Sequence, residues 1–239
     1  MNGVLLQADS RYPKRLLSLL GKNAPNELHF EGNLSLLDNK TVGFCGSRAA
    51  SERGLETVED CADQAARLGW VVISGNANGI DLRAHYAALK SGGNTILVLP
   101  EGLDHFRIKR DLKTVWDGSR VLMISQFSND ASWQVYRAMV RNHLIVALSQ
   151  AMIVIEAGEK GGTMNAAMTA LNLKIPLYVA AYNEMHSHAS GNEYLVKSGA
   201  RILFKSRKTG RAKISDILDE ISTVAPQSDV SSESQLNLM

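Results

Sequence analysis

The 239-residue chain has only 2 cysteines. Neither Cys45 nor Cys61 belongs to a Cys-x-x-Cys pair or has a histidine at metal-ligand spacing, which argues against a disulfide framework or a zinc site and fits a reducing cytosol. Both are expected in the core. Net charge is also small, since 26 Lys and Arg stand against 24 Asp and Glu for a formal +2. That leaves no protein-wide field to hold a polyanion unaided, so any polyanion site must be local. No apolar run approaches the roughly 18 residues of a membrane span, and residues 1–9 lack a basic segment followed by a long apolar one. The expectation is a soluble, unexported, cytoplasmic protein that needs neither metal nor cofactor.

With 45% hydrophobic residues, the chain can bury one ample core with a small appendage at either end. Residues 1–40 mix short apolar runs with Pro13, Pro25, Gly21 and Gly32, the composition of a lead-in packed on the main domain. From Thr41 onward, apolar runs at 41–45, 70–74, 95–99, 121–125, 151–156, 177–181 and 202–204 alternate with helix-period segments. Trp70-Val71-Val72-Ile73 and Met152-Ile153-Val154-Ile155 are apolar on both faces, as central strands covered on each side must be. Right-handed crossovers then give a doubly wound, mostly parallel α/β sheet over 41–224. Helices are expected over Glu52–Leu68, Ile80–Lys90 and Trp133–Ser149. In the last, Val135, Met139, Ile145 and Leu148 would face the core, while Arg137 and Arg141 share a flank. A short amphipathic segment covers Ile214–Ile221, and the Ser-rich residues 225–239 are expected to be a mobile tail.

Three glycine-rich turns each follow a strand and open a helix. They are Gly46-Ser47-Arg48, the run from Gly75 and Asn76 to Gly79-Ile80-Asp81, and Gly158-Glu159-Lys160-Gly161-Gly162-Thr163. In an α/β sheet all three lie at one edge, where helix N-termini present unpaired N–H groups to an anion. The first adds a hydroxyl and a guanidinium, which is phosphate chemistry; alone it would read equally as a tight βα turn, and its two companions favour function. In the second, Asp81 and His85 are spaced to pair on a helix, as a catalytic dyad or, more commonly, as structural groups. Glu156, before the third, could be a general base, a ribose hydroxyl acceptor or a capping group; ribose or structural contact is favoured because no partner nucleophile accompanies it.

Arg107, Lys109, Arg110 and Lys113 form a basic cluster that reads as a solvated face or as the lining of a polyanion channel. Trp133 and Tyr136 flank Arg137 and Arg141. Base stacking is one reading, and core packing is the default for aromatics at helical spacing.

The ordered motifs resemble the DNA-processing protein A family, the DprA or Smf proteins of bacterial transformation and recombination. They are Gly46-Ser47-Arg48, Ser74-Gly75 with Gly79-Ile80-Asp81 and Ala84-His85, Gly102-Leu103-Asp104, Arg141-Asn142, Glu156-Ala157 with Gly162-Thr163, and Gly191-Asn192 with Gly199-Ala200. The resemblance implies an extended Rossmann-like fold, a homodimer, single-stranded DNA held in a basic pocket, and loading of a RecA-type recombinase onto that DNA. Carried over by motif, Ser47, Arg48, Gly162 and Thr163 contact phosphates and Arg141 extends the positive pocket. The candidate DNA set adds Gly46, Gly75, Asn76, Asn142, Lys160 and Gly161, with Glu156, Asp81 and His85 as nucleotide-binding or structural groups. Phe106 to Arg110 and Ser125-Gln126 depart from the family pattern. A competing resemblance is to nucleotide-sensing relatives and to the lysine-decarboxylase-like phosphoribohydrolases. Their loop carries an acid three residues beyond its threonine, where this chain has Ala166.

Overall fold

Helix α2 (Glu52–Arg67) shows how local sequence builds the architecture. Ser51 caps it by accepting a hydrogen bond from the Gly54 amide at 3.0 Å, and Gly69, at φ 78°, carries the chain out beyond its C-terminus. Between these signals, Val58, Cys61, Ala62, Ala65 and Ala66 form a buried stripe at helical spacing. The computed structural model describes residues 1–181 and 189–223. The proposed tail, residues 225–239, lies outside the described residues.

A nine-stranded sheet runs through the molecule in the order β1-β2-β6-β5-β4-β3-β7-β8-β9. Its central strands are β3 (Thr41–Cys45), β4 (Val71–Ser74), β5 (Thr95–Leu99), β6 (Val121–Ser125) and β7 (Ala151–Val154), followed by β8 (Leu177–Ala180) and β9 (Arg201–Leu203). All seven pair in parallel. Each of these runs is buried except at β9, whose Arg201 is exposed. The chain steps outward from β3 through β4, β5 and β6, then returns to the other side of β3 for β7, β8 and β9. This reversal puts a topological switch point between β3 and β7, where open α/β sheets form a crevice beyond the carboxyl ends of their strands.

Alternation along each strand divides the core between the two faces. Val71, Ile73, Met152 and Val154 pack with α1 (Lys14–Leu20), α4 (Val135–Leu148), α5 (Gly162–Asn172) and α6 (Ser190–Lys197). Val42, Phe44, Val72 and Ile153 pack with α2, α3 (Ile80–Lys90) and α7 (Ile214–Thr223). The sheet is therefore doubly wound and mostly parallel.

The first 40 residues do more than lie on this sheet. They supply β1 (Asn2–Leu6) and β2 (Glu27–Gly32), which add antiparallel to β6. The signal was the alternation Leu28-His29-Phe30-Glu31, masked by the prolines and glycines around it. Among the described residues no helix is long and apolar enough to cross a membrane.

Candidate nucleic-acid interface

The three glycine turns follow β3, β4 and β7, which are neighbours in the sheet. Their parallel pairing brings the turns to one edge, and they join there: the Ile80 amide donates to the Ser47 carbonyl at 3.2 Å. The crevice between them is a cavity of about 400 Å³. Gly46, Ser47 and Arg48 form one wall, Ala77 and Asp81 a second, Lys160, Gly162 and Thr163 a third, and Arg141 and Asn142 of α4 close it. Asn76 lies beside this cavity, in a smaller one that shares Arg48, Ala77 and Arg141 with it.

The helix N-termini here differ in what satisfies them. Ser51 and Glu156 cap α2, with the carboxylate taking both the amide and the hydroxyl of Ser51. At the start of α3, Asp81 is oriented by the Ala77 amide at 3.4 Å, and the Ile80 amide is already engaged. The cap residue of α5 is Gly161, which offers no side chain, so the first amides of that helix face the crevice together with the Thr163 hydroxyl. Asn142 fixes this terminus by donating to the Gly162 carbonyl at 3.0 Å and the Asn165 side chain at 3.2 Å. Behind it, the buried Asn192 accepts from the Ala157 amide at 2.8 Å and donates to the carbonyls of Ile155 and Ala180, each at 2.9 Å. Glu156 is thus a capping group.

Charge is divided between interior and rim. Arg141 is buried, and its Nη1 donates to the Val98 carbonyl at 2.5 Å. Asp81 is also buried; burial raises its carboxyl above the ordinary carboxylate range, and Arg141 only partly offsets that rise. These two charges face each other rather than solvent. Gly75 is required beside them, because a Cβ there would lie 2.0 Å from Arg141 Nη1 and 2.5 Å from the Asp81 carboxylate. Arg48 and Lys160 are exposed on the rim. Among the described residues neither makes a hydrogen bond or ion pair, and both are open to an anion.

Asp81 and His85 do not pair. His85 is buried between the Thr95 hydroxyl, 2.6 Å from Nδ1, and the Gly75 carbonyl, 2.7 Å from Nε2. A carbonyl only accepts, so Nε2 carries the proton, while the single Thr95 hydroxyl hydrogen serves Nδ1 and the Val72 carbonyl, 2.8 Å away, in competition. Burial depresses this imidazole to about 4, which makes it a neutral strut between β4 and β5.

Nor do Trp133, Tyr136 and Val135 pack in the core. They are 48%, 56% and 62% exposed, at and just before the start of α4. Trp133 and Val135 line the mouth of the crevice. In the basic cluster, Lys109 turns inward, donating to the Asn76 carbonyl at 2.6 Å and Asn78 Oδ1 at 2.8 Å. Arg107 donates to the carbonyls of Asp104 and Phe106 at 2.8 and 2.6 Å. Among the described residues no group of three or more His, Cys, Asp or Glu is placed to hold a metal ion.

The family model described as DNA recombination-mediator protein A matches residues 3–215. The chain belongs to that family. The DNA recombination-mediator protein A family also accounts for the individual relatives. The DNA processing protein DprA of Streptococcus pneumoniae is 32% identical over 197 residues, covering 82% of this chain and 68% of the relative. That of Bacillus subtilis is 27% identical over 201 residues, covering 83% and 67%. Among solved structures, S. pneumoniae DprA superposes with a TM-score of 0.79 at 29% identity over 92% of this chain and 74% of its own. Helicobacter pylori DNA processing protein A, solved in a study of its single-stranded DNA binding mode, gives 0.77 at 26% identity over 92% and 97%. A molybdenum cofactor binding protein from Rippkaea orientalis shares the fold at 21% identity, with a TM-score of 0.53 over 77% of this chain and 98% of its own.

Proposed function

We propose that this chain binds single-stranded DNA along the carboxyl edge of its sheet, with the backbone phosphates seated against Ser47, Arg48, Lys160, Thr163 and the amides that open α5. The observation that carries this reading is the convergence of three glycine turns on one crevice where Arg48 and Lys160 stand exposed and, among the described residues, without an ion pair. An exposed indole at the mouth suits a flexible strand with unstacked bases better than a duplex. In keeping with the family, the chain acts in DNA recombination, and in natural transformation where the cell takes up DNA. It works in the cytoplasm as a homodimer that helps load a RecA-type recombinase. It is read as a mediator rather than an enzyme.

The cavity's volume also falls within the range of small-ligand sites, which keeps a nucleotide-sensing reading as the competitor. Hydrolysis of the phosphoribohydrolase type is disfavoured, since Ala166 stands where the acid is needed and Glu156 is engaged by Ser51.

The deciding experiment is a titration of the protein with single-stranded oligonucleotide, duplex and mononucleotides at two salt concentrations. Preference for the single strand with a steep loss of affinity at the higher salt supports the proposal. Tight mononucleotide binding with no affinity for oligonucleotides overturns it. Sedimentation of the protein and the rate of recombinase filament assembly with and without it test the dimer and the loading role.

A further inference from the structure

Gly191 and Asn192 belong to the first turn of α6 and do not line the crevice, yet they hold the main chain from which the third glycine turn starts. Asn192 is 1% exposed, and its side chain bonds only to backbone. It accepts from the Ala157 amide at 2.8 Å and donates to the carbonyls of Ile155 and Ala180, each at 2.9 Å. Gly191 completes the grip, because its own amide donates to the Ala157 carbonyl at 2.8 Å. Both polar groups of the Ala157 backbone are therefore taken by this pair. A Cβ on Gly191 would lie 2.4 Å from the Gly158 carbonyl oxygen, so the close approach of α6 depends on glycine.

Beyond this clip the turn has little packing of its own. Around Gly158 a Cβ would meet nothing closer than 3.7 Å, around Gly162 nothing closer than 4.0 Å, and around Gly161 nothing within 4 Å. Glu159, Lys160, Gly161 and Gly162 are exposed. Three glycines within five residues, without neighbours to confine them, leave wide backbone freedom. Side chains pin the two ends of the segment, Asn192 at Ala157 and Asn142 at the Gly162 carbonyl. Where the chain stands at Ala157 decides where Lys160 and the amides opening α5 can reach, since both follow within a few residues.

Resting on the single-stranded DNA reading above, we infer that Gly191 and Asn192 are positioning residues of the third phosphate turn. Asn192 touches no nucleic acid. It fixes the backbone from Ile155 to Gly158 so that Lys160 and the first amides of α5 stand across the crevice from Ser47 and Arg48 before a strand arrives. Without the clip, ordering this glycine-rich segment becomes part of the cost of binding.

A double-mutant cycle read by fluorescence anisotropy with labelled oligo-dT separates positioning from a general loss of stability. Circular dichroism at the binding temperature confines the comparison to folded proteins. Asn192→Ala is expected to weaken binding about tenfold, the ordering cost of roughly one residue's backbone, and to lower the slope of log affinity against log salt by about 0.7. In a Lys160→Ala background the same substitution costs less, because a contact that it positions is already gone. In an Arg48→Ala background its full factor remains. Gly191→Ala, which pushes on the Gly158 carbonyl, follows the same pattern and is the variant read if Asn192→Ala does not fold. Unchanged affinity and slope in the folded variant, or an equal factor in both backgrounds, would overturn the positioning role, while oligo-dT binding by the unaltered protein upholds the single-strand reading. If the unaltered protein binds no oligonucleotide, that reading fails and this inference with it.

Discussion

The carboxylate of Glu156, beyond the end of β7, takes the Ser51 amide at 2.9 Å on Oε2 and the Ser51 hydroxyl on Oε1, tying the first turn of α2 to the neighbouring strand. Ser51 passes the connection on to the Gly54 amide. Glu156 is 1% exposed, so removing its side chain leaves both donors of the half-buried Ser51 without their partner. Glu156→Ala is expected to cost about 1–3 kcal/mol, the penalty for unsatisfied buried polar groups. Urea denaturation should show it as a lower midpoint with unchanged slope. Glu156→Gln, which keeps an acceptor, should lose less.

Arg48 and Lys160 predict the opposite pattern, because both are exposed on the crevice rim and unpaired among the described residues. Arg48→Ala and Lys160→Ala should each leave stability within about 0.5 kcal/mol of the parent. Each should weaken oligonucleotide binding and reduce the slope of log affinity against log salt by about 0.7, the value for one phosphate contact on a single strand. An unchanged slope in Arg48→Ala would remove that residue from the interface.

His85 gives the fold an acid sensitivity with a defined window. Burial holds its imidazole at about 4 in the folded chain against 6.5 when free. As pH falls through 6.5 the unfolded chain takes up a proton that the folded chain refuses. Stability therefore drops by about 1.4 kcal/mol per pH unit until roughly pH 4, then levels for this group. Above pH 6.5 it contributes nothing. Asp63 acts lower: burial raises it, but hydrogen bonds from Ser91, Arg211 and Arg67 outweigh this and hold it to about 2, so its contribution is lost between 3.8 and 2. Urea midpoints measured from pH 7.5 to 4.5 should follow the histidine slope, and His85→Gln should flatten it.

The parallel sheet and the common edge of its glycine turns were legible because the central strands are apolar on both faces and the turns are marked by glycine. The meeting of those turns followed from parallel pairing alone. What sequence could not supply was the direction of individual side chains. The family resemblance makes Arg141 a pocket cation, yet its side chain is buried near Asp81. Trp133 and Tyr136 read as core by default at helical spacing, but Trp133 precedes α4 and both are exposed. Asn192 was marked only as part of a family motif and Ser51 not at all, because each matters through a partner 35 or 105 residues away. The strands of residues 1–40 were hidden for another reason: β1 is an edge strand with one buried residue, and two short runs among prolines and glycines look like a loop.

Gly79 offers the sharpest test that the crevice is a single assembled unit. It opens α3 at φ 74°, a region that costs a side chain energy, and a Cβ there would lie 2.3 Å from the Ser47 carbonyl oxygen. That carbonyl receives the Ile80 amide, so the first turn cannot retreat without breaking the bond that joins it to the second. Gly79→Ala should therefore destabilise the fold by about 1–3 kcal/mol through strain at this position. It should also weaken oligonucleotide binding severalfold, although Gly79 itself lies outside the crevice wall. Gly210, at φ 70° with nothing near its Cβ, is the control: Gly210→Ala meets the same backbone preference without the collision, and should lower stability while leaving affinity intact. If Gly79→Ala reduced stability alone, the two turns would be coupled in folding but not in binding, and the phosphates would have to be held by the third turn and α5.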